Sequence, residues 1–222
     1  MHDQLCRIFL VRHGQTRLNR EVRFRGIRDV PLDEVGRMEA LEAALSLRDS
    51  GITKVYSSPL GRAQEVGRRI ALASGLNEVE DMPLLLNLDY GEWEGLTKHE
   101  CAARDPQEWA RYADAPELAA CPGGERVADA ADRIMQALYI LSQRHLGEAV
   151  AAVSHGVMLR LAVLRIQGTP ASGWQFKVPT GSAIEFAGGC DGIRLVTPIA
   201  DAQLDPYKDP TTLRATQARG AG

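Results

Sequence analysis

An arginine and a histidine stand side by side at Arg12-His13, a second arginine follows a serine-proline turn at Arg62, and a second histidine follows a serine at His155. Each lies at or just beyond the end of a short run of strand formers: Cys6 to Val11 (CRIFLV), Ile52 to Tyr56 (ITKVY) and Ala149 to Val153 (AVAAV). A guanidinium offers a planar fork of donors that matches phosphate oxygens, and a neutral imidazole beside it can act as nucleophile or base. Alone, Arg12-His13 would read as a solvated loop. Together the three positions say more, because the strand ends of a parallel α/β sheet line one crevice, the usual ligand site of such sheets. Two arginines, two histidines and the helix N-terminus expected at Arg62 then make an anion-seeking pocket, with phosphate as the obvious guest.

Other chemistries find no support in the chain. It has no GxxxxGK[ST] or GxGxxG loop for nucleotides, no HExxH for zinc and no GxSxG nucleophile elbow. His2, His99 and His145 fall outside the strand-end pattern and read as surface or structural residues. The four cysteines are scattered without a CxxC pair, which predicts free thiols rather than a metal site or a disulfide scaffold. A formal net charge of −3 argues against a general nucleic-acid or membrane binder. No signal peptide is recognisable and no apolar run reaches the ~18 residues of a membrane span, so the expected location is the cytoplasm.

The elements that must position these residues can be read in outline. With 222 residues, 45% of them hydrophobic, the chain can bury one sizeable core. Asn19 to Asp29 is a polar loop carrying Arg20, Arg23, Arg25 and Arg28, read with equal weight as solvated surface or as part of the crevice. Glu34 to Asp49 reads as a helix with Met38, Leu41 and Leu45 on one face. A second helix starts near Pro59 and turns Val66 and Ile70 inward. Lys98 to Ala113 is helical with a break near Pro106, Glu125 to His145 is the longest helix, and Val157 to Ile166 is an apolar helix closed by Gly168. Ser182 to Phe186 and Ile193 to Thr197 form a hairpin about a Gly-rich turn. Strands alternating with helices predict a three-layer α/β/α sandwich with a mostly parallel central sheet, in one domain over residues 1–204, followed by a loosely ordered tail over 205–222.

The chain resembles the histidine phosphatase (phosphoglycerate mutase-like) superfamily. The resemblance rests on LVRHGQTRLN (Leu10 to Asn19), SSPLGRA (Ser57 to Ala63), DYGEWEG (Asp89 to Gly95), PGGE (Pro122 to Glu125) and SHG (Ser154 to Gly156), in that order. It implies catalysis through a phosphohistidine on His13, with Arg12, Arg62 and a protonated His155 holding the phosphoryl oxygens. It further implies phosphate or substrate contacts at Gly14, Asn19, Gly26, Gly156 and Tyr90; Arg25, from the arginine-rich loop, is a candidate substrate contact at the edge of the pocket. No metal or other cofactor is required. The expected partner is a small phosphorylated substrate, with a homodimer as the candidate assembly and neither nucleic acid nor membrane.

One position departs from the pattern. The proton donor of the family is usually a glutamate four residues before the glycine of the DYG-like motif; here that residue is Asn87. An amide cannot protonate an alkoxide, and general acid catalysis is typically worth about 10²–10⁴-fold. Three readings remain open: Asp89 or Glu92 serves as the donor; the leaving group needs little help; or the chain is a weakly active or non-catalytic phospholigand-binding relative. Only 26 residues separate Gly95 from Pro122, a short insertion that favours the phosphatase branch over mutase-type phosphoryl transfer, which stands as the alternative.

Overall fold

The computed structural model describes residues 5–168 and 177–197. In chain order the elements are β1 (Cys6–Arg12), α1 (Arg17–Arg20), α2 (Glu34–Leu47), β2 (Ile52–Ser57), α3 (Gly61–Ala73), β3 (Glu80–Asp81), α4 (Lys98–Arg104), α5 (Pro106–Asp114), α6 (Val127–Arg144), β4 (Ala149–Ser154), α7 (Gly156–Gln167), β5 (Ala183–Gly189) and β6 (Gly192–Leu195). The strands form one sheet in the order β3-β2-β4-β1-β5-β6. β3, β2, β4 and β1 are parallel, while β5 and β6 add an antiparallel edge. The expected α/β/α sandwich is therefore the fold. The tail expected over 205–222 lies outside the described residues.

Strand residues alternate between two cores, as the two-residue repeat of a strand requires. Ile8 and Leu10 of β1 face the larger core with α6 and α7, while Phe9 and Val11 face the smaller one with α2 and α3. The chain leaves β1 in one direction, crossing β4 to form β2, and leaves β4 in the other, crossing β1 to form β5. Neighbouring strands whose connections diverge in this way open a crevice at their carboxyl ends.

Two local expectations are corrected. The buried face of α2 is made of Gly36, Ala40, Ala43, Ala44 and Leu47, whereas Met38, Leu41 and Leu45 are 58%, 40% and 53% exposed. Small side chains let α2 lie close against α3 and the sheet, and that close fit overrides the apolar spacing. α3 begins at Gly61 with Leu60 as its N-cap, later than Pro59 suggests. Lys98 to Asp114 is indeed two helices divided at Pro106, and the terminal hairpin turns between Gly189 and Gly192.

Candidate active site

Backbone register brings the two histidines together. β1 and β4 pair with Arg12 opposite Ser154, so the next residues, His13 and His155, leave adjacent strands side by side with ring centroids 5.1 Å apart. β2 ends level with them, Ser57 opposite Val153. The Ser58 N–H then donates to the Val153 carbonyl at 2.9 Å, and its hydroxyl lies 2.9 Å from His155 Nε2.

Hydrogen bonds assign both imidazole tautomers. His13 Nδ1 lies 2.6 Å from the Gly14 carbonyl, which can only accept, so Nδ1 carries the proton and Nε2 the lone pair. That Nε2 is buried with no hydrogen-bond partner among the described residues. His155 Nδ1 faces Arg62 Nη2 at 3.4 Å, so it is the acceptor and Nε2–H donates to Ser58. Arg62 is oriented by the carbonyls of Gly26 (2.8 Å) and Arg28 (2.5 Å), and Arg12 by that of Val178. The Nε atoms of Arg12, Arg25 and Arg62 are buried without partners among the described residues. Three guanidinium donors and one imidazole lone pair thus stand ready in one place for a tetrahedral anion.

The electrostatics match that reading. Burial, then the charges of Arg62, Arg25 and Arg12, hold His13 well below the usual histidine value, keeping it neutral and nucleophilic. Burial lowers Arg12 to about 9 and Arg25 and Arg62 to about 10, which leaves all three cationic at neutral pH. The protonated His155 expected from sequence is corrected, because burial and Arg62 hold it well below its usual value too.

A cavity of about 270 Å³ is lined by Arg12 and Arg25 of this cluster, while the buried His13, Arg62 and His155 are not among its lining residues. Its walls carry Arg12, Arg23, Arg25, Lys98, Arg160 and Lys177, with no aspartate or glutamate among the described lining residues. Asn19, Asn87, Tyr90 and Gly156 line it as well. The Asn19 side-chain oxygen is tied into the capping box of α1 by Thr16, so its amide nitrogen is the donor left for the cavity. Tyr90 meets Tyr112 hydroxyl to hydroxyl at 3.0 Å, and burial pushes its phenol up to about 12. A Cβ on Gly156 would lie 2.9 Å from Arg12 Nε, so glycine there makes room for the guanidinium.

Several expected residues have other roles. Gly14 does not line the cavity; a Cβ there would lie 2.2 Å from the Gly36 carbonyl, so its glycine lets β1 dock against the start of α2. Asp89 and Glu92 are both outside the cavity. Asp89 accepts from the Gly91 N–H at 2.8 Å, and Glu92 is an exposed partner of Arg104. The first N–H of α3 is capped by Asp29 at 2.9 Å, so the Arg62 side chain, not the helix terminus, is what this segment offers an anion. Of the four loop arginines, Arg23 and Arg25 line the cavity, Arg28 pairs with Glu94, and Arg20 is exposed. His145 is structural, bridging Tyr56 and Glu148 at 2.9 and 2.8 Å.

Sequence reasoning missed Arg160, Lys177 and Arg133. Arg160 could have been found, since it lies one helical turn after Gly156 and so on the same face of α7. Lys177 carries no such signal. Arg133 works from outside the cavity: it donates to the carbonyls of Leu84, Leu86 and Asn87 at 3.0, 2.8 and 3.1 Å and pairs with Glu125 at 2.8 Å. It thereby splints the irregular segment that carries Asn87. The PGGE turn braces the same segment, with Glu92 N–H on the Pro122 carbonyl at 2.8 Å and Glu125 N–H on that of Asp89 at 2.9 Å. A Cβ on Gly124 would lie 2.4 Å from the Asp89 carbonyl. The DYG and PGG segments are therefore packed directly against each other.

Comparison with known proteins agrees with this arrangement. The profile of the histidine phosphatase superfamily (branch 1) matches residues 8–198. The chain is 34% identical over 175 residues to the metal-independent phosphoserine phosphatase of Arabidopsis thaliana, covering 78% of this chain and 74% of that protein. It is 36% identical over 169 residues to a protein named Probable phosphoglycerate mutase GpmB from Enterobacter sp. (strain 638), covering 75% and 77%. The native structure of a mycobacterial glucosyl-3-phosphoglycerate phosphatase superposes with a TM-score of 0.75 at 26% identity, covering 86% of this chain and 96% of that one. The chain belongs to the histidine phosphatase superfamily. Its enzyme class is phosphatase.

Proposed function

We propose that the protein hydrolyses a phosphomonoester of a small metabolite through a phosphohistidine on His13, without a metal, and that the metabolite carries a second anionic group. The observation that carries this reading is the buried, unpartnered His13 Nε2 among the charges of Arg62, Arg25 and Arg12, two of which, Arg12 and Arg25, line a cavity whose described lining holds six cations and no carboxylate.

The mechanism follows from the assigned tautomers. His13 Nε2 attacks phosphorus in line as the ester P–O bond breaks, while Nδ1–H stays on the Gly14 carbonyl and fixes the ring. Charge on the equatorial oxygens is met by the guanidiniums, which are already oriented by backbone carbonyls and need not reorganise. His155 sits beside His13, held by the Ser58 hydroxyl on Nε2 and by Arg62 on Nδ1. Water then attacks the phosphohistidine and frees His13. Arg160, Lys98 and Lys177 supply the charge that would hold a second anionic group.

The reading is supported if a panel of phosphorylated metabolites yields inorganic phosphate without a bisphosphate primer and chelator leaves the rate unchanged. Isomerised phosphoester in place of free phosphate would favour the mutase alternative.

A further inference from the structure

We propose that the natural substrate carries its phosphate on an oxygen that departs without a proton, such as a carboxylate, an enolate or a phenolate. This rests on the phosphatase reading above and concerns the other half of the ester.

The argument starts from Asn87. Its side chain is 3% exposed, and Nδ2 donates to the Gly26 carbonyl at 3.0 Å. A carbonyl only accepts, so the amide has one orientation, with Oδ1 as the atom that remains. Oδ1 is buried and has no partner among the described residues, and Asn87 lines the cavity. The same Gly26 carbonyl accepts from Arg62 Nη2 at 2.8 Å, so Asn87 lies immediately beside the phosphate-binding guanidinium. At the edge of the reacting centre, then, the protein presents a fixed, neutral acceptor. The amide has no acidic proton to give an oxygen that is gaining negative charge, and Oδ1 would repel one.

No other described group is placed to supply the proton. Asp89 and Glu92 are outside the cavity, and no carboxyl lines it. Glu94 is turned under the Gly26 loop, held by the Ile27 N–H at 2.6 Å and by Arg28 at 3.2 Å. The Tyr90 hydroxyl is engaged with Tyr112. Lys98 and Lys177 occupy exposed positions of the lining. Around the phosphoryl position itself the arginines stabilise charge but do not give up protons at neutral pH, and the Nε2–H of His155 is engaged with the Ser58 hydroxyl at 2.9 Å.

The steps balance without an acid. In the first, the His13 Nε2–P bond forms and the P–O bond breaks, releasing the second product as its stable anion. In the second, water attacks phosphorus, the N–P bond breaks, and the water's proton passes to solvent as inorganic phosphate leaves. In-line geometry puts the water where the leaving oxygen had been, and there Asn87 Oδ1 accepts a hydrogen bond from it and orients its lone pair toward phosphorus.

The test is leaving-group dependence. kcat/KM is measured for 4-nitrophenyl, phenyl and ethyl phosphate and for phosphoserine with the wild type, then with Asn87→Glu. We expect a steep fall along the series in the wild type. Asn87→Glu should raise the alkyl esters relative to 4-nitrophenyl phosphate by about 10²–10⁴-fold, the usual worth of a general acid. The inference is overturned if the wild type turns over ethyl phosphate or phosphoserine within roughly tenfold of 4-nitrophenyl phosphate, or if Asn87→Glu leaves the ratio unchanged. The two readings fail differently: no phosphate release and no labelling of His13 with any ester sinks the phosphatase, whereas labelling with a flat series sinks only the unprotonated leaving group.

Discussion

His13 and His155 are positioned by the register of two buried parallel strands, whereas Asn87 and Tyr90 sit on an irregular segment held by side chains and glycine contacts. At the strand ends, ladder hydrogen bonds and two cores fix each Cα through many contacts rather than one side chain. Across the cavity the chain passes through short 3-10 turns at Pro83–Leu85 and Gly91–Trp93, and Arg133 collects three of its carbonyls. The strand-end half of the site, where the proposed mechanism receives phosphate, is thus built into the sheet, while the half across the cavity, where the rest of the proposed substrate would lie, is open to change one residue at a time. Asn87 belongs to this second half, its carbonyl held by the Arg133 splint at 3.1 Å.

Substitutions in the two regions should therefore read out differently. The largest effect belongs to the strand-end cluster: Arg62→Met should lower kcat by about 10²–10³-fold, the cost of losing one donor to the developing charge, with a smaller change in KM. If kcat holds and only KM rises, Arg62 binds phosphate without stabilising the transition state. Next comes the splint. Arg133→Met breaks a partly buried ion pair and strands three carbonyls, so urea titration should show a loss of roughly 2–3 kcal/mol. A loss under half of that would mean the segment holds itself.

Acid sensitivity is the third contrast. His13 and His155 have folded-state values well below that of the unfolded chain, so the native protein binds fewer protons and stability is greatest above the unfolded value. As pH falls below about 6.5 the unfolded state takes up protons first, and stability should drop by about 1 kcal/mol per pH unit per histidine in a phosphate-free buffer. His13→Asn should flatten that slope, and an unchanged slope would place the acid sensitivity elsewhere. The smallest effect is at the outer cations. Arg160→Met and Lys177→Met should each raise KM by about 3–10-fold with kcat nearly unchanged, and salt should erase the difference.

How much of this was legible follows from the same division. The strand-end residues could be read because strand, polar break and helix recur in the sequence, and a parallel sheet permits only one place for such ends to meet. The partner of Asn87 could not be read, since its orientation depends on the Gly26 carbonyl, 61 residues away in the chain. Glu92 and Asp89 lie close to Asn87 in sequence, yet the left-handed turn at Gly91, with φ +52°, sends that stretch toward Pro122 and Gly124, away from the cavity. On α2, apolar spacing pointed to Met38, Leu41 and Leu45, but helix packing at short range selects alanine and glycine, which carry little hydrophobic signal.

The central claim is that His13 Nε2 receives the phosphoryl group. Rapid quench of the enzyme with a phosphate ester labelled in its phosphoryl group, followed by denaturation in base and peptide mapping, tests it directly. Label should appear on the peptide containing His13 within one turnover, resist base, be lost in acid, and be missing from His13→Ala. Phosphate release at an undiminished rate by His13→Ala, or label that maps to any other residue, would contradict it.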